Sequence, residues 1–393
     1  MINFELVYEI NSTFAPPKIK NNRVNFIQMK KILICVGTRP NLIKITQFGR
    51  ILSRHKDIEY KLLHSGQHYD YNMNSIFFEQ LGIKEPDIFL NISQGSQIEV
   101  IGQIMAGAEK YMTEYKPDLV IVPGDVNSTF ACGFVARYLG IKLAHLESGL
   151  RSFDNTMPEE NNRRLVDCIS DYYFVTEPSG IENLEKENVP AERIFFVGNT
   201  MIDTLVHSLP EFSDNPILQT FGLTENNYFL FTFHRPANVD SVSELTKLVQ
   251  IINRISEKLP VVFPVHPRTR KRFIEFGFEN FLTMENIHIC DPLGYFEFMK
   301  LVKSSKAVIT DSGGIQEETT FLGVPCLTIR QNTERPITLT KGTNTLLDLE
   351  VDLVLKHIDD ILNNKYKTGQ IPELWDGKAT ERIVDIIVNQ VLS

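Results

Sequence analysis

The sequence predicts an α/β protein with two doubly wound, Rossmann-like domains that face a central cleft. At 393 residues the chain is longer than one ordinary hydrophobic core accommodates, so we expect two domains. Short apolar runs alternate with longer segments of helical periodicity, which is typical of parallel sheets with crossover helices. The alternation begins near residue 30 and restarts after residue 200, so each half of the chain supplies one sheet.

The apolar runs define the predicted strands. Those of the first half are Ile32–Val36, Tyr60–His64, Leu119–Pro123, Lys142–Leu146, Tyr172–Val175 and Ile194–Val197. Those of the second half are Tyr228–Phe233, Val261–Val265, Ile287–Cys290, Ala307–Thr310 and Cys326–Ile329. Between them, helical spacing of apolar residues is clear in Gln97–Tyr115, Thr129–Leu139, Val242–Leu259 and Tyr295–Lys303.

This pattern also suggests the domain limits. Residues 29–205 form the first predicted domain and residues 206–375 the second, with a hinge near 199–213. Residues 376–393 include a C-terminal helix that we expect to pack back on the first domain. Residues 1–28 precede the first strand and lack a basic start followed by a long apolar block, so they read as an extension outside the fold and not as a signal peptide.

Composition excludes several functional classes. The net charge of -9 provides no basic surface for nucleic acid or anionic lipid. No apolar run reaches the roughly 18 residues of a membrane span. The five cysteines show neither metal nor redox spacing, so buried thiols in a reducing, cytoplasmic compartment are expected. Neither a metal-ligand cluster nor a GxGxxG fingerprint occurs, so we expect no metal and no nicotinamide cofactor.

Ligands of doubly wound sheets bind at the carboxyl ends of the strands, so the loops that follow the strands are the candidate binding segments. The first predicted strand is followed by GTRPN, which carries Arg39, and then by a helix with Lys44. A helix start and an arginine favour a phosphate, although an ordinary strand–helix turn explains them equally well. The loop after Tyr60–His64 carries Gln67 and His68, for which a plain surface role is the simpler interpretation.

Acidic residues follow three later strand ends of the first half. Asp125 lies in PGDVNST, where helix capping alone would account for it. Glu147 ends an apolar strand, and a buried carboxylate there must be paired or serve chemistry. Glu159 and Glu160 follow Pro158 at a helix start, which suits the helix dipole. Helix-start chemistry does not explain why acidic loops converge on one sheet edge.

The second half offers groups suited to a diphosphate. His234 and Arg235 follow its first strand, and His266 follows its second. Ser312-Gly313-Gly314 opens a helix, where backbone amides cradle phosphate, and Glu318 lies about one turn later. A glycine-rich capped turn is the alternative, since short glycine motifs are weak signals in isolation. Carboxylates on one domain and phosphate donors on the other suggest acid–base chemistry on a sugar whose leaving group is a nucleotide.

From about residue 30 to about residue 342 the chain resembles the non-hydrolysing UDP-N-acetylglucosamine 2-epimerases of bacteria and archaea. The matching segments, in order, are GTRPN with Lys44, SGQH, GDVNST, HLESGLRS, MPEENNR, GNTMID, HR, PVHPRTR, DSGGIQEE and TERPITLTKGTN. Several of these segments are long, and together they are specific. The resemblance implies a two-domain fold of the glycosyltransferase-B type, a UDP-sugar substrate and a homodimer.

The resemblance also implies residue roles. Catalytic roles fall on Asp125, Glu147, Glu159 and His234. Binding of the nucleotide sugar falls on Arg39, Lys44, Arg163, Phe298, Ser312, Gly313, Gly314, Glu318 and Arg335, with Phe298 at the uracil. A second, activating UDP-N-acetylglucosamine would be lined by Gln67, His68, Glu160, Arg235 and His266.

Three departures from the family pattern affect the second site and the N-acyl specificity more than the chemistry. Asn41 stands where many members have Glu, Ala237 where they usually have Glu, and Tyr69 where many bacterial members have Arg. The expected reaction inverts C2 of UDP-N-acetylglucosamine through elimination and re-addition of UDP, for surface polysaccharide. Three alternatives stay open: a 2-epimerase of a UDP-2,3-diacetamido uronic acid, a hydrolysing 2-epimerase, and a glycosyltransferase of the same fold.

Overall fold

A computed structural model describes residues 29–66, 78–284 and 286–393. Within these residues the strands form a seven-stranded sheet of order β3-β2-β1-β4-β5-β6-β7 and a six-stranded sheet of order β10-β9-β8-β11-β12-β13. Every strand pair in the described residues is parallel. In both sheets the order reverses beside the first strand of the half, which is the doubly wound topology expected from the alternating pattern.

The strands of the first sheet are β1 (Lys30–Val36), β2 (Ile58–His64), β3 (Ile88–Phe89), β4 (Leu119–Pro123), β5 (Lys142–Leu146), β6 (Tyr172–Val175) and β7 (Ile194–Phe196). Those of the second are β8 (Phe229–Thr232), β9 (Val261–Pro264), β10 (Ile287–Cys290), β11 (Ala307–Thr310), β12 (Cys326–Ile329) and β13 (Asn344–Leu347). The helices span Arg39–Leu52, Gln97–Tyr115, Asn127–Tyr138, Pro158–Ile169, Pro178–Lys186, Thr200–Ser213, Ile217–Thr220, Pro236–Val239, Val242–Ser256, Pro267–Glu275, Tyr295–Ser304, Gly313–Leu322, Pro336–Thr340, Val351–Leu362 and Ala379–Ile386.

The central strands are apolar on both faces because helices cover both faces of each sheet. In β1, Ile32 and Ile34 pack into one apolar cluster while Leu33 and Cys35 pack into another. The second sheet divides in the same way, with Phe229 and Phe231 on one side and Leu230 on the other. Burial of this kind leaves the strand ends, and not the strand interiors, available for polar chemistry.

A helix joins the two domains where the sequence suggested a hinge. Asn199 caps the helix Thr200–Ser213 by accepting a hydrogen bond from the Met201 amide. On one side of this helix the Thr204 and Thr46 hydroxyls are 2.6 Å apart, which ties it to the first domain. On the other side Ile202 and Leu205 belong to an apolar cluster of the second domain. The connection is therefore a packed helix and not an open linker.

The C-terminal helix contributes to the core of the first domain. Ile383, Val384 and Ile387 belong to the same apolar cluster as β1. The Asp203 carboxylate accepts the backbone N–H groups of Ala379 and Thr380 at 3.0 and 2.6 Å, so the connecting helix holds the start of the terminal one. Among the described residues no helix is long and apolar enough to cross a membrane.

Two observed strands were not among the predicted ones. β13 reads Asn-Thr-Leu-Leu, which lacks the continuous apolar run of the other strands, and pairs with β12 at the edge of the second sheet. β3 has only two residues and pairs with the end of β2. Edge strands are less buried than central ones, so their sequences need less apolar character and carry a weaker signal.

Candidate active site between the two sheets

The carboxyl ends of the two sheets face each other and enclose a polar cleft. The Arg335 guanidinium of the second domain lies 3.8 Å from the Glu147 carboxylate of the first. Nearby, the Asn332 side-chain amide donates to the Asp154 carboxylate across the same gap at 3.5 Å. The cleft therefore lies where the sequence placed it, at the strand ends that carry the conspicuous polar residues.

Glu147 is the most constrained acid of the first domain. It follows β5, is 5% exposed, and adopts a left-handed backbone conformation with φ of 65°. Such a conformation costs a non-glycine residue about 1–3 kcal/mol and persists only where its surroundings impose it. Lys44, buried on the helix Arg39–Leu52, donates a hydrogen bond to the Glu147 carboxylate. Burial of both charges is tolerable because each neutralises the other.

Gly124 makes room for this ion pair. Its φ is 68°, and a Cβ atom at this position would lie 2.7 Å from the Lys44 ammonium and 3.4 Å from the Glu147 carboxylate. A side chain at position 124 would therefore displace the pair. The glycine of the PGD segment serves the approach of Lys44 to Glu147 as well as the turn after β4.

Asp125, the next residue, is paired with Arg163 from the helix Pro158–Ile169. About a quarter of its side chain is exposed, so the carboxylate reaches the cleft. Burial would raise the pKa of Asp125, but the positive charges of Arg163 and Lys44 outweigh that effect and lower the pKa below its ordinary value. Asp125 is consequently an ionised carboxylate, available to accept a proton.

Glu159 and Glu160 occupy different environments although they are adjacent. Glu159 is exposed in the first turn of its helix. Glu160 is fully buried and accepts hydrogen bonds from the Ser152 amide at 2.8 Å, the Phe153 amide at 3.1 Å and Arg163 at 2.6 Å. Helix-start chemistry accounts for Glu159, but Glu160 also holds the loop after β5 against the Asp125–Arg163 pair. Its assignment to a second ligand site stays a prediction.

Arg335 connects the acids of the two domains. Its Nε atom lies 3.0 Å from the buried Glu317 carboxylate, and Glu334 pairs with the other side of the guanidinium. Glu334 also accepts from Arg330 at 2.9 Å. Burial would raise the pKa of Glu334, but these two arginines lower it well below its ordinary value. The TERP segment therefore fixes a permanent positive charge beside Glu147.

Two further carboxyl groups of the second domain show the opposite behaviour. Burial raises the pKa of Glu317 to about 7, against the attraction of Arg335. Burial and the neighbouring Glu317 raise the pKa of Glu318 to about 8. A carboxyl group that keeps its proton near neutral pH can donate a hydrogen bond as well as accept one. Glu318 therefore suits recognition of hydroxyl groups.

His234 is oriented by a buried aspartate, Asp311, for which the sequence predicted no role. The His234 Nδ1 atom lies 3.0 Å from Asp311, and the Asp311 carboxylate also accepts the backbone amides of His234 and Arg235. Burial would raise the pKa of Asp311, but its hydrogen bonds to His234 and the amides lower it. About 41% of the His234 side chain is exposed, so the ring presents its Nε2 edge to the cleft.

Cationic groups of both domains meet near His234. The rings of His234 and His266 are 5.5 Å apart. Partial desolvation lowers the pKa of His266, and the charges of His234, Arg268 and Arg39 add to this effect. Arg39 belongs to the first domain, so its charge acts on His266 from across the cleft. Arg235 is held differently, since its Nε donates to the Asp311 carbonyl at 2.9 Å.

The remaining predicted ligand residues lie on two helices of the second domain. Ser312 precedes the helix Gly313–Leu322, whose first residues Gly313 and Gly314 are partly exposed at its amino end. Phe298, on the helix Tyr295–Ser304, is partly buried against the apolar cluster of that domain. Gln67 and His68 lie outside the described residues. In the part of the chain described, no group of three or more His, Cys, Asp or Glu side chains is placed to hold a metal ion.

Several residues support the site in ways that the sequence did not predict. Asn41 accepts from the Gly37 amide at 3.3 Å and donates to the Pro123 carbonyl at 3.0 Å, so it joins the first and third loops. Glu317 and Glu334 hold Arg335. His145, a histidine inside an apolar strand, is the one with a recognisable signal, because a buried imidazole requires partners.

Comparisons with known proteins identify the family of the chain. A family model described as UDP-N-acetylglucosamine 2-epimerase matches residues 50–388. The UDP-N-acetylglucosamine 2-epimerase of Methanococcus maripaludis is 42% identical over 370 residues, 92% of this chain and 99% of that protein. The UDP-2,3-diacetamido-2,3-dideoxy-D-glucuronate 2-epimerase of Pseudomonas aeruginosa is 37% identical over 362 residues, 91% of this chain and 99% of that protein.

A solved structure shows the same arrangement. The UDP-GlcNAc 2-epimerase of Methanocaldococcus jannaschii, in complex with UDP-GlcNAc and UDP, superposes with a TM-score of 0.85 at 40% identity. The match covers 91% of this chain and 99% of the other. The expected pair of Rossmann-like domains around a cleft, the glycosyltransferase-B arrangement, is thereby confirmed.

Proposed function

Because the chain belongs to the UDP-N-acetylglucosamine 2-epimerase family, we propose that it interconverts UDP-N-acetylglucosamine and UDP-N-acetylmannosamine without net hydrolysis. The enzyme is an isomerase. The identity of its relatives and the two-domain cleft support this substrate. The single observation that carries the proposal is the pair of acids, Asp125 and Glu147, each beside a buried cation and set opposite Arg335 and His234 at the facing strand ends.

The chemistry follows from the position of the proton that moves. The C2 hydrogen of the sugar is not next to a carbonyl, so its direct removal would leave an unstabilised carbanion. If a base takes the C2 proton while the C1–O bond breaks, the C–H electrons form a C1–C2 double bond and UDP leaves with the electrons of the C1–O bond. The products held in the cleft are 2-acetamidoglucal and UDP. Return of a proton to the other face of C2 and re-addition of UDP at C1 complete the inversion.

Inversion requires proton-transfer groups on both faces of the sugar. Asp125 and Glu147 lie at the carboxyl ends of neighbouring strands, each paired with a buried cation, so they are the first two members of the proposed proton-transfer set. Glu159 is exposed near the same edge and is the third member of the proposed set. We assign no face to any one of the three.

The second domain is suited to hold the departing nucleotide. His234, oriented by Asp311, and Arg335 would stabilise the negative charge that develops on the diphosphate, together with Arg39 from the first domain. The amino end of the helix Gly313–Leu322 adds backbone donors after Ser312. Glu318 would hold ribose hydroxyls and Phe298 would contact the uracil. Lys44 and Arg163 would act chiefly by holding the acids.

Turnover of UDP-N-acetylglucosamine in deuterated water tests the proposal against its alternatives. The expected product is nucleotide sugar with deuterium at C2 in both epimers. A hydrolysing 2-epimerase would release free N-acetylmannosamine and UDP, and a glycosyltransferase would require an acceptor and leave C2 unlabelled. The alternative represented by the P. aeruginosa relative would leave UDP-N-acetylglucosamine untouched and epimerise the diacetamido uronate. Any of these three results would contradict the proposal.

We also propose that the enzyme is a cytoplasmic homodimer that supplies sugars for surface polysaccharide. Five free cysteines suit a reducing compartment.

On the helix Asn127–Tyr138 the exposed rings of Phe134 and Tyr138 stack at 6.2 Å, beside exposed Leu139. Exposed apolar groups in a row mark an interaction surface. In sedimentation velocity the wild-type protein should be a dimer, and the double variant Phe134→Asp, Tyr138→Asp should be a monomer. Ile371→Asp, a control at another exposed apolar residue, should remain a dimer. A monomeric wild-type protein would contradict this assignment.

A further inference from the structure

A buried histidine and aspartate lie directly behind the acidic edge of the first domain. His145 is in β5, two residues before Glu147, and Asp167 is in the helix Pro158–Ile169. Both side chains are fully buried. The Nδ1 atom of His145 lies 2.7 Å from Asp167 Oδ1, and its Nε2 atom lies 2.7 Å from the Gly124 carbonyl oxygen.

These contacts define the protonation of the ring. A carboxylate and a carbonyl oxygen only accept hydrogen bonds, and a neutral imidazole carries one N–H group. Asp167 Oδ2 accepts from Arg151 at 2.6 Å and from the Gly149 amide at 3.0 Å, contacts that suit an ionised carboxylate, and its pKa is lowered although burial alone would raise it. Satisfying both contacts requires that His145 donate from both nitrogens, as an imidazolium paired with the Asp167 carboxylate.

The pair reaches the segments that carry both cleft-facing acids. The Gly124 carbonyl belongs to the peptide bond that leads into Asp125. The second Asp167 oxygen accepts the Gly149 amide at 3.0 Å, two residues after Glu147. Gly149 has φ of 79° and no room for a side chain, since a Cβ atom would lie 2.2 Å from the Gly180 carbonyl oxygen. Glu147 is therefore held from both sides in its left-handed conformation.

Two further charges secure Asp167 from behind. Arg151 donates to Asp167 Oδ2 at 2.6 Å and forms a two-pronged pair with Glu187 at 2.9 and 2.6 Å. The four groups alternate in sign and balance in charge. Because Arg151 would remain after any change at His145, the aspartate keeps one cationic partner in the variants described below.

We propose that His145 and Asp167 are positioning residues that set the relative placement of Asp125 and Glu147 for the two proton transfers. The proposal rests on the proposed epimerase function. Neither residue touches the cleft, so the pair acts through the backbone of the two loops. Misplacement of a reacting group by about 1 Å is sufficient to lower a rate by about 10²-fold. A doubly protonated ring is needed because one N–H group cannot hold both loops.

The two arms of the contact can be separated by substitution. In His145→Gln the amide nitrogen takes the place of Nε2, so the bond to Gly124 is kept and the bond to Asp167 is lost. In His145→Asn the amide nitrogen takes the place of Nδ1, so the bond to Asp167 is kept and the Gly124 carbonyl is released. His288→Gln, in β10 of the other domain, is the matched control for a histidine substitution.

A positioning role predicts opposite orders for turnover and stability. We expect kcat to fall about 10²-fold in His145→Asn and less in His145→Gln, because only the glutamine keeps the Asp125 loop in place. We expect thermal stability to fall more in His145→Gln, because the buried Asp167 loses a hydrogen bond that the asparagine keeps, while the cationic charge is lost in both variants. The affinity for UDP should change less than about 3-fold in both, and His288→Gln should match the wild type.

If His145 had only a structural role, the variant with the lower thermal stability would also have the lower kcat, and that result would overturn the proposal. A kcat within about twofold of wild type in both variants would overturn it as well. The ¹⁵N spectrum of the wild-type enzyme at pH 7 provides an independent readout. His145, assigned by its absence in the variants, should show two protonated nitrogens, and a ring with one unprotonated nitrogen would also overturn it. If the wild-type enzyme fails to epimerise, the proposed function is contradicted. The ¹⁵N spectrum would still test whether His145 is doubly protonated.

Discussion

Two pairs of acids at the facing strand edges, Asp125 with Glu147 and Glu317 with Glu318, lie in different electrostatic surroundings. In the first domain, Asp125 and Glu147 each have a cation as direct partner, and the pKa of Asp125 is lowered. In the second domain, burial raises the pKa of Glu317 to about 7 and that of Glu318 to about 8. The folds of the two domains are alike, so the fold does not determine which carboxyl groups keep their protons.

The difference comes from where the cations lie. Lys44 and Arg163 approach the first edge from helices of the same domain and are almost fully buried against their acids. At the second edge, Arg335 is shared among Glu317, Glu334 and Glu147. The pKa of Glu318 is raised by burial of its carboxyl group and by the neighbouring Glu317. Asp125 and Glu147 therefore each have a cation of their own, whereas Glu317 shares Arg335 with two other acids and Glu318 has an acid as its neighbour.

The largest expected effect is on turnover at the first edge. Asp125→Asn, Glu147→Gln and Glu159→Gln should each lower kcat by about 10²–10⁴-fold, the usual range for a lost acid–base group. Steady-state kinetics of the folded variants will measure this, with Glu192→Gln, an exposed acid far along the chain, as the matched control. Near-wild-type turnover in two of the three variants would show that the first edge is not the proton-transfer edge.

The second edge should reveal its neutral acids through the pH dependence of stability. The folded-state pKa of Glu318 is about 8 and lies above its ordinary value of 4.5. Between these values only the folded state keeps the proton, so the contribution of Glu318 to the free energy of unfolding falls as pH rises. Glu318→Gln lacks the ionisation, so its unfolding free energy relative to wild type should rise by up to about 1.4 kcal/mol per pH unit in that window. Chemical unfolding at pH 5 to 9 measures the difference.

The first edge should respond in the opposite direction. The pKa of Asp125 is lowered, so its contribution to stability is present above the ordinary value of 3.8 and is lost as pH falls through the folded-state pKa. The stability deficit of Asp125→Asn relative to wild type should therefore shrink below pH 4. If Glu318→Gln and Asp125→Asn show the same pH trend, the contrast between the edges is wrong.

A second ligand site should contribute little. Both Glu160 oxygens accept hydrogen bonds from Ser152, Phe153 and Arg163, and the Arg235 Nε donates to the Asp311 carbonyl. Among the described residues predicted for this site, only Arg235 and His266 can donate to a second diphosphate, so the reverse reaction from UDP-N-acetylmannosamine should start without a lag. The readout is reverse turnover at very short times, with and without a trace of UDP-N-acetylglucosamine. A long lag that the trace abolishes would show an intact second site.

The smallest expected effect is a change of shape. Proton-transfer groups and phosphate donors lie on different domains, so UDP should draw the domains together around the helix Thr200–Ser213. Small-angle scattering should show a smaller radius of gyration in saturating UDP than in its absence. Identical scattering curves would mean that the two edges are already at their working distance.

Much of this arrangement could be predicted because the ends of buried strands can be located from apolar runs in the sequence. Apolar runs place β4, β5 and β8 within a residue or two, and the polar residues that follow them are Asp125, Glu147 and His234. Side-chain partnerships between distant segments leave no comparable signal. Nothing in the spacing pairs His145 with Asp167, or Arg335 with Glu317, because these contacts depend on how helices pack over the sheets.

The central claim is that the first edge moves a proton at C2 while the second edge releases UDP from C1. UDP-N-acetylglucosamine labelled with ¹⁸O in the bond between C1 and the diphosphate tests both halves in one measurement in deuterated water. The account predicts that the label scrambles into the non-bridging oxygens of the β-phosphate as deuterium enters C2. Deuterium at C2 in epimerised product, with the ¹⁸O retained entirely in the bridging position, would contradict it.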